Sequence, residues 1–203
     1  MLENNIVFLF DLDGTITKEE TLPLIAKHFK IEEEITQITE DTIRGNIPFV
    51  ESFIRRVHIL GALPAVEIDD LLSKVELSKP IVEFIQNNQD NSFIVTGNLN
   101  VWVNQLLQRI DCKYYSSQGK MVDGKVEKLT NILKKEEIVQ KYQSLGKKVV
   151  FIGDGNNDAE AMRISDISIA FGNIHWPSNS VLQVSTHAIF CEEELCRFLK
   201  QLS

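Results

Sequence analysis

Two aspartates stand two residues apart in Asp11-Leu12-Asp13-Gly14-Thr15, directly after the apolar run Ile6-Val7-Phe8-Leu9-Phe10. Alternation along an extended chain turns Asp11 and Asp13 roughly to one side. Carboxylates that close repel one another by about 4 kcal/mol at 4 Å and an effective dielectric of 20, so a divalent cation is the natural offset. A second acidic loop, Gly153-Asp154-Gly155-Asn156-Asn157-Asp158, follows the apolar run Val149-Val150-Phe151-Ile152. Its Asp and Asn oxygens suit a hard cation such as magnesium. Thr96 follows Phe93-Ile94-Val95 and precedes Gly97. A hydroxyl and a backbone N–H at that point can hold phosphate oxygens at a helix start. Lys134 and Lys135 come near the start of a helix shortly before the second acidic loop, and one of the two is expected to be solvated. Each segment alone has a plainer reading: a turn after a strand, a threonine or asparagine N-cap, a surface lysine. That reading leaves unexplained why a second acidic pair sits at the end of a second buried strand.

The elements that must position these residues alternate along most of the chain. The runs at Ile6–Phe10, Phe93–Val95 and Val149–Ile152 are continuous and partly β-branched, as in strands buried on both faces of a parallel sheet. Weaker strand candidates are Tyr114-Tyr115, Ile167 to Ala170 and Ala188 to Phe190. Helical spacing marks Ile81 to Asn87, Val101 to Ile110, Ile132 to Tyr142 and Leu195 to Leu199. Gln118 to Val126, with its Asp123-Gly124 turn, reads as a β-hairpin. From about Thr17 to Lys79 the rhythm breaks, and helical stretches replace strands: Thr21 to Phe29, Glu32 to Arg44, Phe49 to Leu60 and Pro64 to Lys74. The expected fold is therefore α/β, a Rossmann-like parallel sheet with a helical cap inserted after the first strand. The expected domains are a core of residues 1–16 and 80–203 and a cap of residues 17–79, seated over the carboxyl end of the sheet where open α/β folds bind ligands.

In order along the chain, Asp-x-Asp-Gly-Thr, Thr-Gly, Lys and Gly-Asp-Gly-x-Asn-Asp resemble the haloacid dehalogenase superfamily, the aspartate-nucleophile phosphatases. The resemblance covers nearly the whole chain. It implies that Asp11 is the nucleophile and a magnesium ligand. It implies that Asp13 is general acid and then general base, with its backbone carbonyl on the metal. Thr96 and a lysine would hold the phosphoryl oxygens, Asp154 would ligate magnesium, Asp158 would support that shell and Asn157 would contact phosphate. Lys135 is preferred to Lys134 because Lys135-Glu136-Glu137-Ile138 better fits the Lys-x-x-aliphatic pattern. Within the superfamily the chain resembles the phosphoserine phosphatase family. By that analogy Glu20 pairs with an ammonium, Arg56 with a carboxylate, and Phe49 walls the cap. Gly97 and Asn98 line the substrate site. Thr96-Gly97-Asn98 departs from the usual Ser-Gly-Gly, placing bulk beside the phosphate, and Ile43 replaces a common Met.

Composition narrows the class further. The 203 residues are 43% hydrophobic and 25% charged, with a formal net charge of −8, which argues against a broad nucleic-acid footprint. The expected partner is a small phosphorylated metabolite, with the chain a monomer or homodimer. Three cysteines without CxxC spacing suit reduced thiols and a cytoplasmic setting. No secretory signal is expected, and no apolar run approaches the roughly 20 residues of a membrane span. His28, His58, His175 and His187 have no sequence partner suggesting a relay and read as structural or exposed, while Trp102 and Trp176 read as packing residues. Competing classes are a phospho-accepting signalling module, a calcium loop, a metal-independent dehalogenase and a mutase. The insertion and Asp13 argue against the first, and Gly14 directly after Asp13 breaks the calcium-loop spacing.

Overall fold

The structure is a computed structural model describing residues 5–43 and 46–203. In chain order the elements are β1 (Ile6–Phe10), α1 (Thr21–Phe29), α2 (Glu32–Ile43), α3 (Phe49–Gly61), α4 (Ala65–Leu72), α5 (Lys79–Asn87), β2 (Ser92–Leu99), α6 (Asn100–Ile110), β3 (Tyr114–Val122), β4 (Lys125–Asn131), α7 (Lys135–Ser144), β5 (Lys148–Gly153), α8 (Ala159–Ile164), β6 (Ile167–Phe171), α9 (Asn179–Leu182), β7 (His187–Ile189) and α10 (Glu192–Leu202). The strands form one sheet in the order β4-β3-β2-β1-β5-β6-β7, parallel except for β4, which runs antiparallel to β3.

Both faces of this sheet are covered, which is why its central strands read as unbroken apolar runs. Phe8, Phe10, Val150 and Ile152 face one buried cluster, with Phe84 of α5 and Leu106 of α6. Val7, Leu9, Val149 and Phe151 face the other, with Val139 of α7 and Met162 of α8. The chain winds outward from β1 to β2 and β3 on one side and from β5 to β6 and β7 on the other. The switch point therefore lies between β1 and β5, where a crevice opens beyond the carboxyl ends of the strands. Register sets the chemistry at one level: Phe10 pairs with Ile94 and with Ile152, so Asp11, Thr96 and Asp154 emerge within a residue of one another.

Between β1 and β2 the chain carries α5, packed on the sheet through Phe84, and before it helices α1 to α4. The two connections to them run side by side: Thr17 bridges Leu77, Lys18 N donates to Glu76 O at 2.9 Å, and Ser78 N donates to Ile16 O at 2.8 Å. Helix α4 is also tied to α6, since Asp69 Oδ1 accepts from Gln105 N at 2.9 Å. The β3–β4 hairpin turns at Asp123 and Gly124, both at positive φ (49° and 76°), as a two-residue Asp-Gly turn requires.

Three expectations change. Thr96 is not a helix cap: β2 continues through Leu99, α6 begins at Asn100, and the Thr96 hydroxyl accepts from Asn98 N at 3.1 Å. The helix expected from Ile132 begins only at Lys135, because β4 pairs out to Asn131. Asn156 and Asn157 do not cap the late helix; they lie inside a 3₁₀ turn, Asn156–Asp158, whose N-cap is Gly155. Arg44, and the side chains of Phe49 and Ile43 expected in the cap lining, lie outside the described residues.

Candidate active site

Asp11 leaves β1 with its backbone N donating to Ile152 O at 2.9 Å, which clamps the two strand ends together. Its carboxylate is buried, accepts from Leu12 N at 2.8 Å, and lies 2.6 Å from Lys135 Nζ. The same ammonium donates to Asp158 Oδ1 at 2.7 Å, and Lys135 itself is only 3% exposed. Lys134 is exposed instead, 3.4 Å from Glu137. A lysine buried this completely requires opposite charge.

Asp158 is held by the backbone as well. Its Oδ2 accepts from Asp154 N at 3.1 Å and Gly155 N at 2.9 Å. Gly153 makes this approach possible, because a Cβ there would stand 2.5 Å from Asp158 Oδ2 and 2.6 Å from its Cγ. Asp154 Oδ1 accepts from the Thr15 hydroxyl at 3.0 Å. Gly14, at φ +69°, turns the chain so tightly that a Cβ would lie 3.0 Å from Asp154 Oδ2.

Donor atoms of Asp11, Asp154 and Asp158 all lie within 4.8 Å of one another, and all three residues are buried. An all-oxygen, all-anionic donor set fits a hard divalent cation. The Asp13 carboxylate is not in that cluster: Oδ1 accepts from Thr21 N at 3.1 Å and Oδ2 from Asn98 Nδ2 at 2.5 Å. Asn98 thus points its amide at Asp13 and at the Thr21 hydroxyl (3.3 Å).

Electrostatics show a site short of positive charge. Burial, then the charge of Asp158, raises the pKa of Asp11 well above the ordinary carboxylate range despite Lys135. Burial and Asp158 push Asp154 to about 7, with Glu20 adding and His175 opposing. Burial and Glu20 push Asp13 to about 6 against hydrogen bonds from Thr21. Burial lowers Lys135, but Asp11 and Asp158 outweigh it and its net shift is upward. One ammonium among four carboxylates leaves room for a dication.

A cleft of about 390 Å³ joins these groups to the helices above. Asp11, Asp13, Gly97, Asn98, Asp154 and Asn157 line its floor, and Glu20, Arg56 and Trp102 line its walls. Arg56 is half-buried, which lowers its pKa, and its Nε donates to Ser52 O at 3.4 Å. Thr96 is fully buried and does not line the cleft.

Sequence alone gave neither His175, expected to be structural or exposed, nor Trp176 a place in the cleft, and both line it, His175 with an exposed side chain. His175 Nε2 lies 2.7 Å from Glu20 Oε1 and 3.3 Å from Asp154 Oδ2. Burial lowers its pKa, but the Trp176 carbonyl, Glu20 and Asp154 outweigh burial and raise it. Its partners are 155 and 21 positions away in the chain, so no local pattern could have flagged it; the one available signal was its place in the loop after an acidic-loop helix and strand. Trp176 is 78% exposed at the cleft mouth rather than packed in a core.

The haloacid dehalogenase-like hydrolase family matches residues 7–166. A phosphoserine phosphatase of Methanocaldococcus jannaschii is 27% identical over 178 residues, covering 81% of this chain and 84% of that protein. A solved substrate-bound phosphoserine phosphatase complex superposes with a TM-score of 0.82 at 23% identity, covering 100% of both chains. A phospho-aspartyl intermediate analogue of phosphoserine phosphatase gives 0.80 at 24% identity, covering 97% of this chain and 98% of that one. Four motifs in order, carried on this sheet and matched along most of its length, place the chain in the haloacid dehalogenase-like hydrolase family.

Proposed function

We propose that this chain is a magnesium-dependent phosphomonoester hydrolase for a small phosphorylated metabolite, working through an aspartyl-phosphate on Asp11. The observation that carries the reading is the convergence of the Asp11, Asp154 and Asp158 carboxylates with Lys135, the first two lining one cleft and the last two buried directly behind them. In this reading residues 17–79 act as the cap of a core formed by 1–16 and 80–203.

A carboxylate oxygen of Asp11 forms a bond to phosphorus as the ester P–O bond breaks. Asp13, with a carboxyl already pushed up to about 6, donates the proton that the leaving alkoxide takes. A water then gives its proton to Asp13 and attacks the same phosphorus, releasing inorganic phosphate and restoring the Asp11 carboxylate. Lys135 holds charge on the equatorial oxygens, and Gly97 and Asn157 define the edge of the phosphoryl position, with the buried Thr96 hydroxyl bracing Asn98 N from behind. Asp11, Asp154, Asp158 and the Asp13 carbonyl would hold magnesium or support its shell, and the bound ion supplies charge neutralisation for an incoming phosphate dianion.

O-Phosphoserine is the reference substrate, because relatives bear that activity in their names and because Glu20 and Arg56 both line the cleft. A second reading, a phosphomonoester without an ammonium, is favoured by the contact between Glu20 and His175.

Phosphate release under multiple turnover tests the function. Magnesium is expected to support it, EDTA to stop it and magnesium to restore it. Asp11→Asn is expected to abolish turnover while leaving the fold intact, as checked by circular dichroism. Retained turnover in that variant refutes the nucleophile, and a single burst without turnover selects a phospho-accepting module instead.

A further inference from the structure

On the cleft wall His175 Nε2 meets Glu20 Oε1 at 2.7 Å, a contact that phosphoryl transfer does not use, and it stands 3.3 Å from Asp154 Oδ2. His175 stands on residues 172–178, a loop fixed at both ends: Gly172 N donates to Ile189 O at 2.9 Å, and Ser178 N donates to Asp154 O at 2.8 Å. A Cβ on Gly172 would run into the Phe190 ring and stand 2.9 Å from Pro177 Cδ, so the loop leaves β6 along a packed path. The loop backbone therefore brings His175 to the cleft, where its side chain is 41% exposed. Its Nδ1 faces the Trp176 carbonyl at 3.0 Å, which turns Nε2 toward Glu20 Oε1 at 2.7 Å. With a carboxylate opposite, Nε2 is the donating nitrogen of the contact to Glu20.

Glu20 is the anionic side chain on the cleft wall, and this contact uses it. An ammonium arriving with a substrate has to displace the imidazole or share one carboxylate with it, and either course removes most of the gain from a charge-assisted hydrogen bond. A hydroxyl can donate to the second Glu20 oxygen without bringing another charge. We propose that His175 determines the substrate class: by holding Glu20 it selects phosphomonoesters that bear a hydroxyl, rather than an ammonium, near the phosphate ester. The inference rests on the cleft being a phosphomonoesterase site, as proposed above, and it chooses between the two readings given there.

The test is the ratio of kcat/KM for O-phosphoserine to that for 3-phosphoglycerate, which differ by ammonium against hydroxyl on one carbon, using both enantiomers of each with magnesium. The unaltered chain is expected to favour 3-phosphoglycerate. His175→Ala is expected to move the ratio about tenfold toward O-phosphoserine, which is about 1.4 kcal/mol, with the change carried in KM. In a Glu20→Gln background the same substitution is expected to move nothing, because there is no carboxylate to release. A ratio that His175→Ala leaves unmoved, or moves equally without Glu20, overturns the proposal. So does turnover of p-nitrophenyl phosphate with neither acid as a substrate, which leaves the phosphatase reading standing. No turnover of any of the three sinks both.

Discussion

Lys135 is placed to serve stability and, in the proposed reaction, chemistry together. Its ammonium sits between Asp11 Oδ1 and Asp158 Oδ1, at 2.6 and 2.7 Å, in a place from which water is nearly excluded. Removing one member of a buried pair leaves uncompensated charge and costs roughly 3–5 kcal/mol. Lys135→Met is therefore expected to lower the melting temperature of the metal-free protein by roughly 6–20 °C, at about 2–4 °C per kcal/mol for a chain of this size. It is also expected to reduce kcat/KM by about 10²- to 10³-fold, the usual cost of one charge-stabilising donor. Lys134→Met, on an exposed residue, is expected to change neither beyond about 1 °C in a melting scan.

At the level of elements, the site is the work of two strand ends and the turns after them. β5 brings Asp158 back over itself because Gly153 has no side chain there. Gly153→Ala forces a buried carboxylate, already bonded to Lys135 and to the N–H groups of Asp154 and Gly155, out of its place. The expected result is a loss of about 1–3 kcal/mol of stability, as for other overpacked positions. Magnesium affinity should fall with it, seen as a higher half-saturating magnesium concentration in the phosphate-release assay. Unaltered magnesium dependence would mean that Asp158 does not support the metal shell. Gly146→Ala, a positive-φ glycine with open space around the Cβ position, separates backbone strain from this steric effect.

For the molecule as a whole, the clustered carboxylates make stability depend on pH. In the metal-free protein Asp13 titrates near 6 and Asp154 near 7, and Asp11 is raised too, against an ordinary value of 3.8. The folded state thus binds more protons than the unfolded state between about pH 4 and 7, and stability falls as pH rises through that window. The metal-free melting temperature is expected to be higher at pH 5.5 than at pH 8 by at least about 5 °C. Magnesium should stabilise more at pH 8, where the carboxylates are ionised, than at pH 5.5. A melting temperature that rises with pH in the absence of metal would show that these groups are not buried together.

Much of this was legible in the chain. Continuous apolar runs ending in Asp-rich turns fixed which residues lie at strand ends, because a buried strand has to stop where carboxylates begin. Interruption of the strand–helix rhythm marked the helices between β1 and β2, and Asp123-Gly124 marked the hairpin. Local pattern reached less far where pairing overrides propensity: β2 runs past Thr96 into Leu99, β4 pairs on to Asn131 beyond the Val126 end of the expected hairpin, and the helix spaced from Ile132 starts only at Lys135. The choice of Lys135 over its neighbour came from a motif, whereas its 2.6 Å contact with Asp11 required the fold. His175 was beyond reach. Sequence determines which groups a chain can offer and the local geometry of each, but a contact between residues 20 and 175 exists only when the sheet's register and a packed loop bring their ends together.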